Sequence, residues 1–375
     1  MEHTIVGYFL QFDALKNIIS SLSSTLGFEA STLVYFIIFS IAIDLVVTIM
    51  ATIGGLGTYA ERKISADMQI RPGPNRVGPY GILQMIADGI KMFMKEDIVP
   101  DHSDRFLFYM APLLAIVGVF GTLAVVPISS GFTLADINVA LFYVVGISSF
   151  VGLAVFMGGY ASNSKWSMLG GMRGAAQIIS YEIPVLLSMF AVILFAGGLS
   201  FHAVLSEQSG GPVGWFIFHN PFTFIAFFIY FIGALAETNR APFDLPEAES
   251  ELVSGYHTEF TGMRFGFFAL AEYIEVFVVC AIAVTLFLGG YKVPFNIGGD
   301  SLLGQLLQAG TFFAKSFILY YVVIWIRWTL PRMRVDHLMV LCWKYLTPIA
   351  FFNLIGSAVW VYLFGSKSLW GLIFS

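Results

Sequence analysis

Residues 264–288 read RFGFFALAEYIEVFVVCAIAVTLFL. After the leading arginine this run is apolar apart from two glutamates, and it holds no proline. At about 1.5 Å per residue it is long enough to cross a hydrocarbon core of about 30 Å. The stretch therefore predicts a transmembrane helix. It also carries the oddity that points to function, because Glu272 and Glu275 stand three residues apart and share one helix face. Glu272 would lie roughly 12 Å, and Glu275 roughly 16 Å, below the start of the span.

Working outward, further apolar runs of spanning length occupy about 33–57, 107–128, 138–159, 178–198, 222–239, 310–330 and 345–364. The expected fold is an all-α integral membrane protein of about eight transmembrane helices. Composition agrees: 58% of residues are hydrophobic and 11% charged, against roughly a quarter charged in soluble proteins, and mean hydropathy is +0.82. The bilayer is the main solvent for these side chains. A net charge of −5 gives no sign of nucleic-acid binding.

Two cysteines, Cys280 and Cys342, are too few for an iron–sulfur cluster, which takes four thiolates as a rule. The six histidines lie outside the interiors of the apolar runs, unlike a membrane haem held by histidine pairs. No Walker motif and no strand–GxGxxG–helix pattern is present. The chain is thus expected to bind no redox cofactor, nucleotide or metal of its own. Residues 1–32 lack the basic start of a signal peptide, with Glu2, Asp13 and Glu29 against Lys16, so the first helix is expected to act as its own insertion signal. No internal repeat divides the chain. We expect an outer-side N-terminal segment over 1–32 and one eight-helix membrane domain over 33–375.

The basic residues orient the bundle. Odd-numbered loops, with the adjoining helix ends, hold Arg62, Lys63, Arg71, Arg76, Lys91, Lys95, Arg105, Lys165, Arg173, Arg240, Arg264, Arg327, Arg332, Arg334 and Lys344. The other side holds Lys16, Lys292 and Lys367, and Lys315 falls within a helix. Under the positive-inside rule both termini face out and the odd loops are cytoplasmic or matrix-side. Trp215, Trp325, Trp328, Trp343 and Trp360 fall near helix ends, where amphipathic rings favour the interface.

Ionisable groups inside a span are expensive and point to function by default. Glu182 and Glu237 lie within about a turn of cytoplasmic helix ends, and with Glu272 and Glu275 they form a series descending from the surface. Carboxyls withdrawn from water can exchange protons near neutral pH; each one alone also fits a structural ion pair. Asp44 falls mid-span with no evident partner. Lys315, near an outer helix end, reads as a snorkelling side chain.

Two cytoplasmic loops stand out. Over 240–263 run Asp244, Glu247, Glu249, Glu251 and Glu259, interleaved with Pro242, Phe243, Pro246 and Tyr256. That mixture is too apolar and too stiff for a plain solvated linker, and it predicts a packed loop whose acids share protons beneath a partner. The first loop, 58–105, contains Arg71-Pro-Gly-Pro-Asn-Arg-Val-Gly-Pro, a rigid turn segment. Ile82, Ile86, Ile90 and Phe93 then recur at helical spacing opposite Gln84, Asp88, Lys91 and Lys95. This predicts an amphipathic helix lying in the interface, either bordering an opening for a lipid-soluble substrate or anchoring the loop.

Long ordered motifs carry a family resemblance. They include Glu61-Arg62-Lys63, Arg71-Pro-Gly-Pro-Asn-Arg-Val-Gly, Ser180-Tyr-Glu-Ile-Pro, Ala236-Glu-Thr-Asn-Arg-Ala-Pro-Phe-Asp-Leu-Pro-Glu-Ala-Glu-Ser-Glu and Leu330-Pro-Arg-Met-Arg-Val-Asp. From about residue 55 to 350 the chain resembles the subunit 1 family of NADH:quinone oxidoreductase, respiratory complex I. The resemblance implies a membrane subunit that forms much of the quinone chamber and starts an acidic chain into the proton-pumping arm. It implies Arg62, Arg71, Asp88, Lys91, Arg332 and Arg334 around the quinone entrance. Glu182, Glu237, Asp244, Glu247, Glu249, Glu251, Glu259 and Glu272 would form the proton path. It also implies that quinone is the substrate, with NADH, FMN and iron–sulfur clusters in partner subunits. Those partners would be peripheral quinone-site subunits and antiporter-like membrane subunits, in a bacterial or mitochondrial inner membrane. Glu275 and Asp44 are additions to the pattern, His337 replaces a usual glutamine, and Phe260 replaces a common tyrosine.

Two other readings stay open. One is the equivalent anchor of an energy-converting membrane hydrogenase or a ferredoxin- or formate-linked complex. The other is a stand-alone ion/proton antiporter, against which stand the missing inverted repeat and the lack of paired broken helices.

Overall fold

The computed structural model describes residues 30–365 apart from 209–210, 212–213, 248 and 294–301. The chain folds as helices: α1 (Ala30–Met68), α2 (Gln84–Met94), α3 (Arg105–Leu123), α4 (Ala140–Ala161) and α5 (Lys165–Ala196). There follow α6 (Phe201–Glu207), α7 (Pro221–Glu237), α8 (Gly262–Phe287), α9 (Leu302–Thr329) and α10 (Val335–Phe364), the last including a π-type turn at Leu341–Leu346. Among the described residues, six of these (α3, α4, α5, α8, α9 and α10) are long and apolar enough to cross a membrane. The remaining two expected spans are the first part of α1 and the 17-residue α7. Residues 1–29, most of the expected outer N-terminal segment, lie outside the described residues.

Local signals set the helix ends. Asn220 and Thr223 form a capping box at the start of α7, with Pro221 in its first turn, which satisfies amide groups that a helix start leaves free. Asp104 caps α3 and Ser200 caps α6. Several boundaries differ from the hydropathy reading, with α9 helical from Leu302 rather than from about 310 and α10 from Val335 rather than from about 345. The run ending near residue 57 continues helically to Met68, and α5 begins at Lys165 rather than near 178. Hydropathy registers where a helix leaves the apolar layer, whereas the backbone hydrogen bonds continue beyond it. The expected first loop is therefore helical over 58–68, and this extension carries Glu61.

Successive long helices alternate in direction. At one end the starts of α3, α5, α8 and α10 meet the ends of α1, α4, α7 and α9. Asp104 N donates to Ala161 O at 3.1 Å, Met333 N to Pro242 O at 2.9 Å, and Arg264 pairs with Asp97 at 2.8 Å. At the other end Leu141 N donates to Leu199 O, and Ser130 N to Gln308 Oε1. There Lys315 is not a snorkelling cation. Its ammonium donates to the carbonyls of Leu288, Gly290 and Lys292 at 2.9–3.0 Å and lies 4.4 Å from the Trp215 ring. It thus caps the free carbonyls beyond α8. Buried Gln208 completes that end, donating to Thr285 O and Leu286 O and accepting from Gly289 N.

The acidic segment 240–263 is packed, as its prolines and aromatics predict. Phe243, Leu245, Leu252, Tyr256 and His257 are all buried. Gln177 on α5 fastens its start by donating to Ala236 O and Phe243 O at 2.7 and 2.8 Å. Phe260 fastens its end by stacking on Phe108 at 4.1 Å. Between these points the chain turns against α5 where only glycine fits. Gly255 has φ +56°, and a Cβ there would lie 1.7 Å from Pro246 O. A Cβ on Gly170 would meet Pro246 O, Gly255 Cα and Tyr256 N at 2.8–2.9 Å. Substituting Gly170→Val should therefore push the loop off α5 at a cost of about 1–3 kcal/mol. The expected result is a lower melting temperature of the purified assembly together with impaired activity; wild-type values for both would show that the contact is dispensable.

Candidate functional site

Where these helix ends converge, a chain of charges runs through the protein. Glu61, on the extension of α1, is 6% exposed, and so is Arg240, just beyond α7. Glu61 accepts from Arg327 of α9 and from Arg240 Nη1, the latter at 3.2 Å. The other Arg240 nitrogen, Nη2, stands 3.8 Å from Glu272 Oε2 on α8, and the guanidinium lies 4.2 Å from the Tyr273 ring. Glu272 Oε1 accepts from the Tyr256 hydroxyl at 2.8 Å and lies 3.1 Å from His257 Nε2. His257 Nε2 in turn sits 3.3 Å from Glu247. Arg327–Glu61–Arg240–Glu272–His257–Glu247 is thus a continuous series across four chain segments.

Burial without pairing would be costly for such groups. For Arg240, burial acts against the charge, but Glu61, Tyr273 and Glu272 outweigh it and raise its pKa above the ordinary arginine value. For His257, burial lowers the pKa, while hydrogen bonds and attraction from Glu247 and Glu272 win and push it up to about 9. The imidazole is then a cation at neutral pH. Tyr256 is raised well above 10.0 by burial and by Glu272, so it keeps its proton and donates. Asp244, raised by burial and by Glu247, is held by Arg332 Nη2 at 3.0 Å. Arg240 Nε and Nη2, His257 Nδ1 and Asp244 Oδ1 form no hydrogen bond, so the cluster has unused donors and acceptors.

Glu247, His257 and Glu272 offer ligand atoms within 4.8 Å of one another, a spacing that suits a metal ion. Arg240 Nη2 already stands 3.8 Å from the Glu272 carboxylate in this group.

A second acidic group lies beside the first. Glu182 of α5, Glu237 of α7 and Glu275 of α8 line one cavity of about 30 Å³, together with Tyr230, Thr122 and Ser148. Its remaining lining is apolar, mostly valine, and includes no basic residue. The volume suits about two water molecules.

The other expected site residues distribute as follows. Arg62, Asp88 and Lys91 come together, with Arg62 to Asp88 at 2.5 Å and Lys91 to Asp88 at 3.7 Å. Asp88 and Lys91 belong to α2, whose Ile86, Ile90, Phe93 and Met94 are exposed while Met85 packs near Gly55 of α1 and Met92 near Gly266 of α8. Arg71 bonds Gln69 within its own turn. Arg332 faces the acidic segment rather than Arg62, and Arg334 is exposed at the start of α10. Glu251 pairs with Arg173 of α5 at 2.7 Å, and Glu259 is half-buried. The Glu249 side chain lies outside the described residues. Glu61, Arg240, His257 and Arg327 were absent from the expected set. Three of them read as topological charges or a loop histidine, and only the length of α1 makes Glu61 a buried group.

Comparison with known proteins gives the lineage. The profile of the family described as NADH dehydrogenase matches residues 40–358. The H subunit of NADH-quinone oxidoreductase from Chlorobaculum tepidum is 48% identical over 312 residues, covering 81% of this chain and 87% of that protein. Its namesake from Salinibacter ruber is 45% identical over 336 residues, covering 87% and 96%. A protein of Rhodothermus marinus named NADH-quinone oxidoreductase subunit 8 is 44% identical, covering 85% and 96%. With its six long apolar helices and buried charge series, this chain belongs to the family of H subunits of NADH-quinone oxidoreductase.

Proposed function

We propose that this chain is the membrane subunit that forms the quinone chamber of a proton-translocating NADH:quinone oxidoreductase and couples quinone reduction to proton movement. The observation that carries this reading is the series Arg327–Glu61–Arg240–Glu272–His257–Glu247, buried at Glu61, Arg240 and His257 and partly exposed at its two ends. It joins the helix ends next to α2 to carboxylates inside the bundle. The relatives' names favour this role over a hydrogenase anchor or an antiporter.

In this reading eight helices span a bacterial inner membrane as one domain, with both termini outside. The charged end faces the cytoplasm and docks the peripheral quinone-site subunits; antiporter-like membrane subunits lie alongside in the bilayer. NADH, FMN and the iron–sulfur clusters belong to those partners, and Cys280 and Cys342, both buried, are too few to hold a cluster. The apolar face of α2 borders the lipid, and Arg62, Asp88 and Lys91 sit above it where a quinone ring would enter, with Arg71, Arg332 and Arg334 around the mouth.

Reduction of quinone to quinol takes up two electrons and two protons. The resulting change of charge acts on the series through its two guanidinium groups. Arg240 is hydrogen-bonded to Glu61 but stands 3.8 Å from Glu272. A shift of under about 1 Å would bring it within hydrogen-bonding distance of Glu272. That exchange would set a second cation against Glu272, weaken its hold on the His257 cation 3.1 Å away, and free the imidazole proton to pass by way of Glu272 towards Glu237 and Glu182. Asp244, Glu247, Glu249, Glu251 and Glu259 supply the path from the acidic segment.

Replacing Glu237 or Glu272 by glutamine should cut quinone-coupled turnover and proton pumping at least several-fold. NADH oxidation with the soluble acceptor ferricyanide should stay near wild type. Retention of both quinone turnover and pumping in these variants would refute the coupling role. Arg71→Ala should raise the apparent KM for quinone several-fold with little change in kcat; unchanged quinone kinetics would remove it from the mouth. A third test concerns pH. The folded pKa of His257, about 9, exceeds its ordinary value of 6.5, so its stabilisation is complete below about pH 6.5 and disappears as pH rises through 9. The melting temperature of wild type should therefore exceed that of His257→Gln most at about pH 6, with the gap shrinking by about pH 9.5. A pH-independent gap would mean that the imidazole is not charged.

A further inference from the structure

The helix α8 carries two carboxylates three residues apart in opposite electrostatic settings. Glu272 is surrounded by positive charge and donors: Arg240 at 3.8 Å, His257 at 3.1 Å and the Tyr256 hydroxyl at 2.8 Å. Glu275 instead lines the cavity that it shares with Glu182 and Glu237, whose lining includes no basic residue. The hydroxyls in that lining are largely occupied. Thr122 donates to Gly118 O, Ser148 to Val145 O, and Tyr230 to Val279 O. The three glutamates therefore share a space of water size whose other lining is these three hydroxyl residues and apolar groups. Three acids without a cation suit holding and handing on protons rather than forming structural ion pairs.

We infer that Glu275 is a proton-relay residue, the joint between the paired charges around Glu272 and the cation-free cavity of Glu182 and Glu237. The inference rests on the coupling role proposed above and adds a step to it. One face of α8 presents both carboxyls, and Glu275 alone among the described carboxylates belongs both to the helix of Glu272 and to the cavity. A proton released from the Glu272 cluster has Glu275 as its nearest acceptor along the helix, and the cavity offers room for about two waters to bridge onward to Glu237 and Glu182. The proton starts on the His257 cation: its N–H bond breaks as an O–H bond forms at Glu272, 3.1 Å away, each later step breaks one carboxyl O–H bond as another forms at Glu275 and beyond, and no electron moves.

The test uses the whole complex in membranes, with Glu275→Gln, Glu275→Asp, Glu237→Gln and Glu272→Gln each introduced in the chromosomal gene. The readouts are quinone-coupled NADH oxidation, NADH-driven acidification of vesicles, and NADH–ferricyanide activity as a measure of assembly. Glu275→Gln keeps shape and polarity but cannot relay. It should lower quinone turnover and acidification at least fivefold with ferricyanide activity unchanged. Glu275→Asp, which retains a carboxyl, should recover at least half of the lost turnover. A purely structural glutamate would give the reverse order, with glutamine the milder change, and that result would overturn the inference. Wild-type turnover and acidification in Glu275→Gln, alongside losses in Glu237→Gln and Glu272→Gln, would overturn the Glu275 step alone. Wild-type behaviour of all three glutamine variants would overturn the coupling reading and this step together.

Discussion

The arrangement depends on one buried guanidinium. Arg240 follows directly on α7, is 6% exposed, and pairs with Glu61 of α1 and Glu272 of α8 while lying over Tyr273. A charge so placed is tolerated only if its partners stay put, since removing one partner of a buried pair costs about 3–5 kcal/mol. Because Glu61 is shared with Arg327 of α9, the same interaction ties three long helices to the start of the acidic segment. Gln177, Gly170 and the Phe260–Phe108 stack then fix the rest of that segment against α5 and α3. The loop is thus a folded part of the bundle, with its acids held at defined distances.

That framework separates two kinds of carboxylate. Those near Arg240 and His257 live among cations and donors, and their response to a change in nearby charge is a matter of which partner they keep. Those in the valine-lined cavity have no basic residue in its lining, and their response is a matter of where protons reside. A helix with one residue of each kind, three positions apart, links the two without any change of fold. Such a link can be driven by small displacements, since a buried group with unused donors can exchange partners over less than an ångström, and the low-dielectric surroundings amplify the consequence.

Much of this was legible in the sequence. Apolar run lengths located the six long helices, and the spacing of Ile82, Ile86, Ile90 and Phe93 gave α2 with its exposed apolar side. The stiffness of the acidic segment anticipated its packing, and Glu182, Glu237 and Glu272 stood out as charges in apolar runs. The misses have physical reasons. Hydropathy stops where polar residues begin, so the extension of α1 to Met68 and the burial of Glu61 were invisible. Arg240, Arg327 and His257 look like ordinary cytoplasmic charges until distant segments bring acids to them. Lys315 read as snorkelling because sequence cannot show three carbonyls from 288–292 converging on its ammonium.

The central claim is that Arg240 and Glu61 act as one unit in coupling. It is tested most directly by a double-mutant cycle on quinone-coupled turnover, comparing Arg240→Gln, Glu61→Gln and the double variant, with ferricyanide activity as the assembly control. The account predicts that each single change lowers turnover at least tenfold and that the double variant is no worse than the more damaged single one. Independent, multiplicative losses, or wild-type turnover in Arg240→Gln, would contradict it.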